Sequence, residues 1–342
     1  MLRNDMTYEQ FMVALGEMNR MDLAEAMTRS VYADFMKKGI KGLLIGAYAQ
    51  AALDSTFQEL VVEDSSDAQK EDYPSLGDPS MPRLVLEGEN FDNLSPGSPD
   101  NVAVTSQKFG GIISITAEAK GDDQSVGKEL GKQGMAMGRK HVEKKDQVVY
   151  SILINNPAIY DGGNFFALNH PGYTGGATRA DNDNIYTNVT LSANALAAVL
   201  GIIAKWEGAD VDQDLDIRAE KLVVPVTLQQ TAYGLTRADL LPLAYAAGPL
   251  GPATTGGAVG MPNYLKGKLA VVSSARLDKS STTDWYVKTV FPGLLYLKRE
   301  GLTVVMEAPN SGEGFAKEVM RARSSERFRF KPINWRWGVK VS

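Results

Sequence analysis

The chain has 342 residues, of which 44% are hydrophobic and 23% charged. This is the composition of a folded protein and argues against a chain that is disordered over its whole length. Its formal net charge of -5 argues against a dedicated nucleic-acid binder, because such proteins are usually strongly basic. Cysteine is absent, which excludes disulfides, thiolate metal sites and cysteine nucleophiles.

The sequence predicts no targeting or membrane segment. The N-terminal residues lack the apolar stretch of a signal peptide. The longest apolar run, residues 43–53, is too short to span a bilayer. We therefore expect a protein that is made and kept in the cytosol, with no membrane partner.

The first predicted elements are helices in residues 7–38. Thr7 and Gln10 fit a capping box, and apolar residues follow at helical spacing. The run Lys37-Lys38-Gly39 predicts a helix end. These helices either pack on their own domain or form an arm that lies on other subunits.

Residues 63–100 are acidic and rich in proline, with ten carboxylates, two basic residues and five prolines. Prolines suppress helices and interrupt sheets, so this segment is predicted to be extended. We predict a long hairpin whose strands are Arg83–Glu87 and Val102–Thr105, turned around Ser95–Pro99. An isolated hairpin is marginal in water. The hairpin therefore docks on a partner surface or folds back on its own domain.

A β-like run at residues 109–116 precedes a long predicted helix at residues 122–155. Four glycines share one face of that helix, although each costs about 0.5–1 kcal/mol relative to alanine. They are Gly127, Gly131, Gly134 and Gly138. Such a face predicts that another backbone passes close by, and the alternative is a helix that is interrupted there.

The second half of the chain alternates short helices with strands. Ser192 is a plausible cap for a helix at residues 193–206, and a buried strand at Lys221–Val226 leads into a short helix at Gln229–Leu235. Pro242–Pro262 is predicted to be a long surface loop. Further strands are predicted at residues 269–272, 285–291, 293–298 and 302–307, and within 319–341.

An alternating run of aspartates is the only pattern that suggests a metal. Leu215 stands where a calcium loop needs glycine, and Lys221 stands where it needs a bidentate glutamate. We therefore predict a solvated turn and no metal site. The aspartates are Asp210, Asp212, Asp214 and Asp216.

Catalytic motifs are weak. His141 sits among charged helix residues and is predicted to be solvated, whereas His170 precedes a proline in a turn-like segment with Asp161 nearby in sequence. The chain has neither a Gly-x-Ser-x-Gly elbow nor a phosphate-binding loop in the required context. We expect no catalytic residue, no cofactor and no enzymatic activity.

Basic residues concentrate near the C-terminus, where Arg327 and Arg329 alternate with Phe328 and Phe330. Trp335 and Trp337 flank Arg336 in the same way. On a strand, this alternation places the aromatics on one buried face and the arginines on an exposed cationic face. That face is expected to meet DNA or the acidic segment of a neighbouring copy.

Three segments together resemble the major capsid protein of tailed bacteriophages, most closely the Mu-like major head subunit branch. They are Lys108–Asn155, Asp161–Pro171 and Leu215–Leu228. The resemblance implies an α+β protein with the Hong Kong 97-like capsid fold. It implies an N-terminal helical arm at residues 1–72, an extended hairpin loop at 73–112, a peripheral domain at 113–190 with a spine helix at 122–155, an axial domain at 191–299, and return strands at 300–342.

The resemblance further implies a structural protein whose hexamers and pentamers form an icosahedral shell around double-stranded DNA. Expected partners are other copies, a scaffolding protein, a portal, decoration proteins and packaged DNA, with assembly in the bacterial cytoplasm and no proteolytic self-removal of an N-terminal domain. Intersubunit contacts are expected at Arg83, Glu87, Glu89, Asp92, Gly131, Gly134, Arg327, Arg329 and Arg336. The alternatives are an encapsulin-like compartment and a cytosolic hydrolase using His170 and the aspartate run.

Overall fold

The computed structural model describes residues 29–75, 84–91, 100–116, 126–171, 178, 181–208, 215–241, 261–307 and 319–342. For residues 29–40, 74–75, 100, 115–116, 126–131, 241, 261 and 320 it describes the backbone alone. The chain divides into two compact units. Unit 1 comprises Met1–Ser55, Gln107–Lys145 and Glu300–Arg327, and unit 2 comprises Thr56–Ser106, Asp146–Arg299 and Phe328–Ser342.

The described helices are α1 (Arg29–Asp54), α2 (Val126–Asn155), α3 (Ala193–Ala204), α4 (Gln229–Arg237) and α5 (Ala275–Asp278). Three short 3-10 helices lie at Phe57–Glu59, Val226–Leu228 and Trp335–Trp337. The described strands are β1 (Val62–Ser65), β2 (Lys70–Ser75), β3 (Asp100–Thr105), β4 (Gln107–Thr116), β5 (Ile185–Tyr186), β6 (Ala219–Val224), β7 (Leu240–Leu241), β8 (Met261–Pro262), β9 (Ala270–Ser273), β10 (Trp285–Thr289), β11 (Leu294–Glu307), β12 (Val319–Pro332) and β13 (Gly338–Val341).

Unit 2 is built on a five-stranded sheet with the order β5-β13-β10-β6-β9. Strand β10 is antiparallel to β13 and β6, whereas β6 and β9 are parallel. Apolar side chains of α3 and α4 pack against this sheet, and Trp206, Trp285 and Trp335 are fully buried in the same core. Ser192 caps α3 as predicted, because its Oγ accepts the Ala195 N–H at 3.2 Å.

A second sheet has the order β1-β11-β12-β4. Its long strands β11 and β12 contribute residues to both units, and so does α2. In unit 2, β1 runs parallel to the first residues of β11. The predicted strand at residues 109–116 and the predicted long helix are confirmed as β4 and α2, with residues 122–125 outside the described part.

The hairpin exists, but the prediction of its first strand is wrong. Strand β3 pairs with β2, with Lys70 opposite Thr105 and Ser75 opposite Asp100, whereas residues 84–87 form no strand. Val102 and Val104 are buried against Leu295 and Leu297 of the same unit, so packing sets this register. The predicted turn at residues 95–99 lies outside the described residues.

Two other boundaries differ from the sequence prediction. The helix end expected at Lys37–Gly39 is wrong, because α1 continues to Asp54. The strands expected at residues 293–298 and 302–307 are one continuous strand, β11. In both places the helix or strand continues through residues whose sequence predicts a break. Residues after the predicted break are buried, as Leu44 in α1 and Val304 in β11 are, and this packing outweighs the local preference.

One predicted glycine contact is confirmed in unit 1. A Cβ on Gly138 would lie 2.3 Å from the Leu44 carbonyl oxygen and 3.1 Å from the Tyr48 amide nitrogen. The backbone of α1 therefore crosses α2 at a point where only glycine fits. Gly134 is buried one turn earlier, whereas Gly127 and Gly131 lie outside the residues whose surroundings are described.

We expect Gly138→Ala to destabilise the protein although alanine favours helices. The gain in helix propensity is about 1 kcal/mol, whereas forced overpacking costs about 1–3 kcal/mol. Gly201→Ala in α3 is the matched control, because nothing lies within 4 Å of the added methyl group. Urea unfolding followed by circular dichroism should show a loss for the first variant and none for the second. Equal stability of both variants would contradict the close crossing.

Candidate functional site

His170 lies in a buried polar cluster of unit 2. Its Nδ1 is 2.6 Å from Asp161 Oδ2, and its Nε2 is 3.1 Å from Asn184 Oδ1. The side chains of His170 and Asp161 are each 1% exposed. The imidazole stacks on the ring of Trp335 at 4.8 Å, which closes one face of the imidazole. Asp161 and His170, which are close in the sequence, therefore also contact each other in the structure.

Asn184 decides what this cluster can do. Its Nδ2 donates to the carbonyls of Phe165, Trp335 and Gly338, and its Oδ1 accepts the Ala167 N–H at 2.7 Å. These partners fix the amide orientation, so Asn184 presents an oxygen and no nucleophile to His170. Both ring nitrogens of His170 are occupied, and the cluster joins the loop after α2 to the C-terminal segment.

The prediction that His141 is solvated is wrong. His141 is 7% exposed and belongs to a buried cluster of unit 1. Its Nε2 is 2.7 Å from Ser324 Oγ, and its Nδ1 is 3.2 Å from Glu326 Oε1. Its position on α2 faces the buried side of β12, which the charged neighbours of His141 in the sequence do not indicate.

The cluster also contains a buried ion pair. Lys145 Nζ lies 3.0 Å from Glu326 Oε2 and donates to the Tyr48 hydroxyl at 2.5 Å. Lys145 and Glu326 are 3% and 2% exposed. Tyr48 belongs to α1, Lys145 to α2 and Glu326 to β12, so these charges join three elements of unit 1.

Ser324, His141 and Glu326 have the arrangement of a hydrolytic triad, but Ser324 is fully buried. The Ser324 hydroxyl also lies 2.8 Å from the Met137 sulfur, and Glu326 is neutralised by Lys145. A substrate carbonyl must reach the nucleophile and find oxyanion donors. With Ser324 closed off and Glu326 paired, the geometry favours a structural role.

One sequence signal for this cluster was missed. Ser324, Glu326, Phe328 and Phe330 are alternate residues of β12, so their side chains lie on the same face of the strand, and all four are buried. The alternation therefore places the Glu326 carboxylate on a buried face, where it requires a cationic partner. Nothing in the sequence identifies Lys145 as that partner, because it lies far away along the chain.

The C-terminal alternation is confirmed in part. Phe328 and Phe330 are buried, whereas Arg327 and Arg329 are half-buried, and Arg327 pairs with Glu300 at 3.2 Å. The prediction that Arg336 lies on an exposed cationic face is wrong, because this residue is 5% exposed and its guanidinium lies 5.3 Å from the Trp335 ring. Residues 335–337 form a 3-10 helix, which breaks the alternation of a strand.

The base of the hairpin is attached to unit 2 by polar contacts. Tyr73 donates to Asp64 at 2.7 Å, and burial followed by the Asp64 hydrogen bond raises the pKa of Tyr73, so its hydroxyl remains a donor. Lys331 Nζ donates to the Ala103 carbonyl at 2.8 Å, and burial followed by the charge of Arg329 lowers the pKa of Lys331. The base is therefore fixed on its own subunit.

The hairpin tip, residues 84–91, is different. Leu84, Leu86 and Phe91 are 83%, 62% and 88% exposed. Glu89 closes a turn here, because its N–H donates to the Leu86 carbonyl and its carboxylate accepts the Leu86 N–H. Glu87 and Glu89 are exposed, whereas Arg83 and Asp92 lie outside the described residues. The tip therefore presents apolar and acidic side chains to solvent.

Among the residues that the structure describes, no group of three or more histidine or acidic side chains is placed to hold a metal ion. Asp210, Asp212 and Asp214 lie outside those residues, and Asp216 is exposed with a φ of 44°. No helix in the described part of the chain is long and apolar enough to cross a bilayer.

Comparison with known proteins identifies one family. Residues 100–341 match a family described as phage capsid protein. The asymmetric unit of the bacteriophage PhiM1 mature capsid matches with a TM-score of 0.50 at 15% identity, over 84% of this chain and 86% of that chain. The capsid of a native GTA particle matches with a TM-score of 0.50 at 11% identity, over 85% and 89% of the two chains.

The bacteriophage JBD30 capsid matches with a TM-score of 0.45 at 14% identity, over 84% of this chain and 64% of that chain. No curated protein sequence matches. At these identities the PhiM1 and GTA matches show the fold alone, and they confirm a mixed helix and sheet chain with the fold of phage capsid subunits.

Proposed function

This chain belongs to the phage capsid protein family, and we propose that its copies assemble as hexamers and pentamers into an icosahedral head around double-stranded DNA. Its role as a structural capsid protein rests on the family match over residues 100–341, which include parts of both units. Family and fold imply a structural rather than an enzymatic role, and the closed surroundings of His141 and His170 support this.

Electron microscopy of the purified chain tests the proposal. We expect closed shells of uniform diameter, and particles recovered from an infected host should contain double-stranded DNA. Shells that contain protein cargo and no DNA would instead favour an encapsulin-like compartment. A purified chain that remains a small soluble species under all assembly conditions would overturn the proposal.

We propose that the chain has the Hong Kong 97-like arrangement expected for the Mu-like branch. Its arm would be residues 1–72, its hairpin loop 73–112, its peripheral domain 113–190 and 300–342, and its axial domain 191–299. A helix at Val126–Asn155, in the place expected for a spine helix, supports this arrangement. Strands β6, β9 and β10 of the five-stranded sheet lie within 191–299 with α3 and α4 and support an axial domain there. Strands β5 (Ile185–Tyr186) and β13 (Gly338–Val341) belong to the same sheet, so this domain also takes in residues outside 191–299.

We further propose that the hairpin tip contacts an adjacent subunit. Leu84, Leu86 and Phe91 are exposed in one subunit, and apolar side chains of this size favour burial by a partner. Glu87 and Glu89 are exposed, and with Arg83 and Asp92 they would meet the half-buried Arg327 and Arg329 of a neighbour. One exposed ion pair contributes about 0–1 kcal/mol, but repetition over a shell would make assembly sensitive to salt.

The resemblance to tailed-phage capsid proteins supports further partners. We propose a scaffolding protein and a portal as assembly partners, decoration proteins on the outer surface, and non-specific contact with packaged DNA. Assembly would take place in the cytoplasm of the bacterial host, and the mature protein would reside in the virion.

Gly131 and Gly134 are proposed to contact another chain segment in the shell. We expect Gly131→Ala/Gly134→Ala to raise helix propensity and to impair assembly through a backbone clash. Shell yield by sedimentation measures the effect. Gly234→Ala, which adds a methyl group in open space on α4, is the control and should assemble normally. Wild-type yield from the double variant would exclude a close contact at these glycines.

A further inference from the structure

We propose that His170 is held as a doubly protonated imidazolium in the core of unit 2, and that its second ring proton joins the loop after α2 to the C-terminal segment. The inference concerns the folded state of one subunit and is independent of how subunits assemble. The side chains of His170 and Asp161 are each 1% exposed, so neither can replace its partner by solvent. The hydrogen-bond partners inside the core therefore decide the protonation state.

Both ring nitrogens of His170 face oxygen acceptors. Nδ1 lies 2.6 Å from Asp161 Oδ2, and Nε2 lies 3.1 Å from Asn184 Oδ1. A neutral imidazole carries one N–H and one nitrogen lone pair. In either neutral tautomer, a nitrogen lone pair would point at an oxygen lone pair in a buried site, which is costly. The imidazolium provides a donor for each oxygen.

The amide of Asn184 cannot turn to present its nitrogen instead. Its Oδ1 accepts the Ala167 N–H at 2.7 Å, and an oxygen with two lone pairs also accepts from His170. Its Nδ2 donates to three backbone carbonyls, those of Phe165, Trp335 and Gly338. Turning the amide would place its oxygen against these three carbonyls and its N–H groups against the Ala167 N–H. The oxygen therefore faces His170.

Two further contacts favour a positive charge on the ring. Asp161 Oδ1 accepts the Gly163 N–H at 3.0 Å, which stabilises Asp161 as a carboxylate. The imidazole stacks on Trp335 with 4.8 Å between ring centroids and 4° between ring planes. The face of an aromatic ring is electron-rich, so it attracts a cation placed over it.

Other charged groups lie next to the partners of His170. Asp181 and Asp183 are close in sequence to Asn184, and Arg336 follows Trp335. The Asp183 carboxylate accepts the Asn169 N–H, whereas the Arg336 guanidinium lies 5.3 Å from the Trp335 ring. Arg336 opposes a charge on His170 and the aspartates favour it. Asp161 contacts the ring directly, so its negative charge has the largest effect.

Loss of the second proton would disturb a residue that joins two segments. The Asn184 N–H donates to the Ala167 carbonyl at 3.1 Å, and the Asn184 carbonyl accepts the Lys340 N–H of β13 at 2.9 Å. An unfolded histidine loses its second proton above about pH 6.5. The folded unit retains this proton and so binds one more than the unfolded chain, which means that its stability falls as the pH rises above that value.

Urea unfolding at several pH values, followed by tryptophan fluorescence, tests the proposal. The chain has four tryptophans, all buried in unit 2, so their emission reports this unit: Trp206, Trp285, Trp335 and Trp337. Asp161→Asn is the matched variant. Its amide can donate to Nδ1 of a neutral His170 while its oxygen accepts the Gly163 N–H, so no second proton is needed. The other titrating groups are the same in both proteins.

Between about pH 7 and pH 8.5, we expect the unfolding constant of the wild-type chain to rise about tenfold per pH unit relative to that of Asp161→Asn. The same pH dependence in both proteins would overturn the proposal. Nitrogen-15 NMR of the wild-type subunit provides a measurement that does not need the variant to fold, because the chain has only two histidines. The contact with Trp335 identifies the His170 signals. At pH 8 we expect both of its ring nitrogens to be protonated, and a neutral ring would exclude the imidazolium.

Discussion

Replacing the apolar side chains of the hairpin tip by serine should leave a folded subunit that no longer forms closed shells. Leu84, Leu86 and Phe91 are 83%, 62% and 88% exposed, so Leu84→Ser/Leu86→Ser/Phe91→Ser removes almost no burial within the subunit. Full burial of each such side chain by a neighbour would contribute about 1.5–3 kcal/mol. Because this burial free energy is lost at every subunit contact, the subunit concentration needed for shells to form should rise by orders of magnitude.

Two measurements separate folding from assembly in this variant. The melting temperature of the subunit should equal that of wild type, whereas sedimentation and electron microscopy should find no shells. The matched control Leu84→Met/Leu86→Met/Phe91→Met keeps apolar mass at the same positions and should assemble. Wild-type shell yield from the serine variant would show that the tip is an ordinary surface loop.

Removing the Glu326 carboxylate should destabilise the protein more than either Gly138→Ala or Glu300→Ala. Both His141 Nδ1 and Lys145 Nζ face this carboxylate in a site where Lys145 is 3% exposed. Breaking a buried ion pair by removing one partner costs about 3–5 kcal/mol. Total stabilities are about 5–15 kcal/mol, so Glu326→Ala should shift urea unfolding strongly or abolish folding of unit 1.

Glu300→Ala provides the comparison on the same sheet. Glu300 pairs with Arg327, but the two side chains are 48% and 33% exposed, so its loss should cost about 0–1 kcal/mol. The double variant Lys145→Met/Glu326→Leu removes both charges and should recover part of the stability lost in Glu326→Ala. If Glu326→Ala is no less stable than Glu300→Ala, the ion pair does not hold unit 1 together.

The candidate surfaces were predictable to different degrees. The acidic hairpin and the basic C-terminal strand are visible as composition, and alternation of Phe328 and Phe330 with arginines correctly indicates a half-buried strand. The exposure of the tip follows from its position, because Val102 and Val104 hold only the hairpin base on Leu295 and Leu297. Only the structure shows that the base of the hairpin is anchored and that its tip is exposed.

The sequence alone determined those elements whose signals are local. A serine cap begins α3, an apolar run forms β4, helical periodicity forms α2, and residues 100–341 carry enough family pattern to be matched. Only the tertiary structure decided the pairing of β2 with β3, the continuation of α1 past Gly39 and the burial of His141. The reason is physical: each depends on residues distant in sequence, such as Leu295 for the hairpin, Gly138 for α1 and Glu326 for His141, and burial against them outweighs local preference.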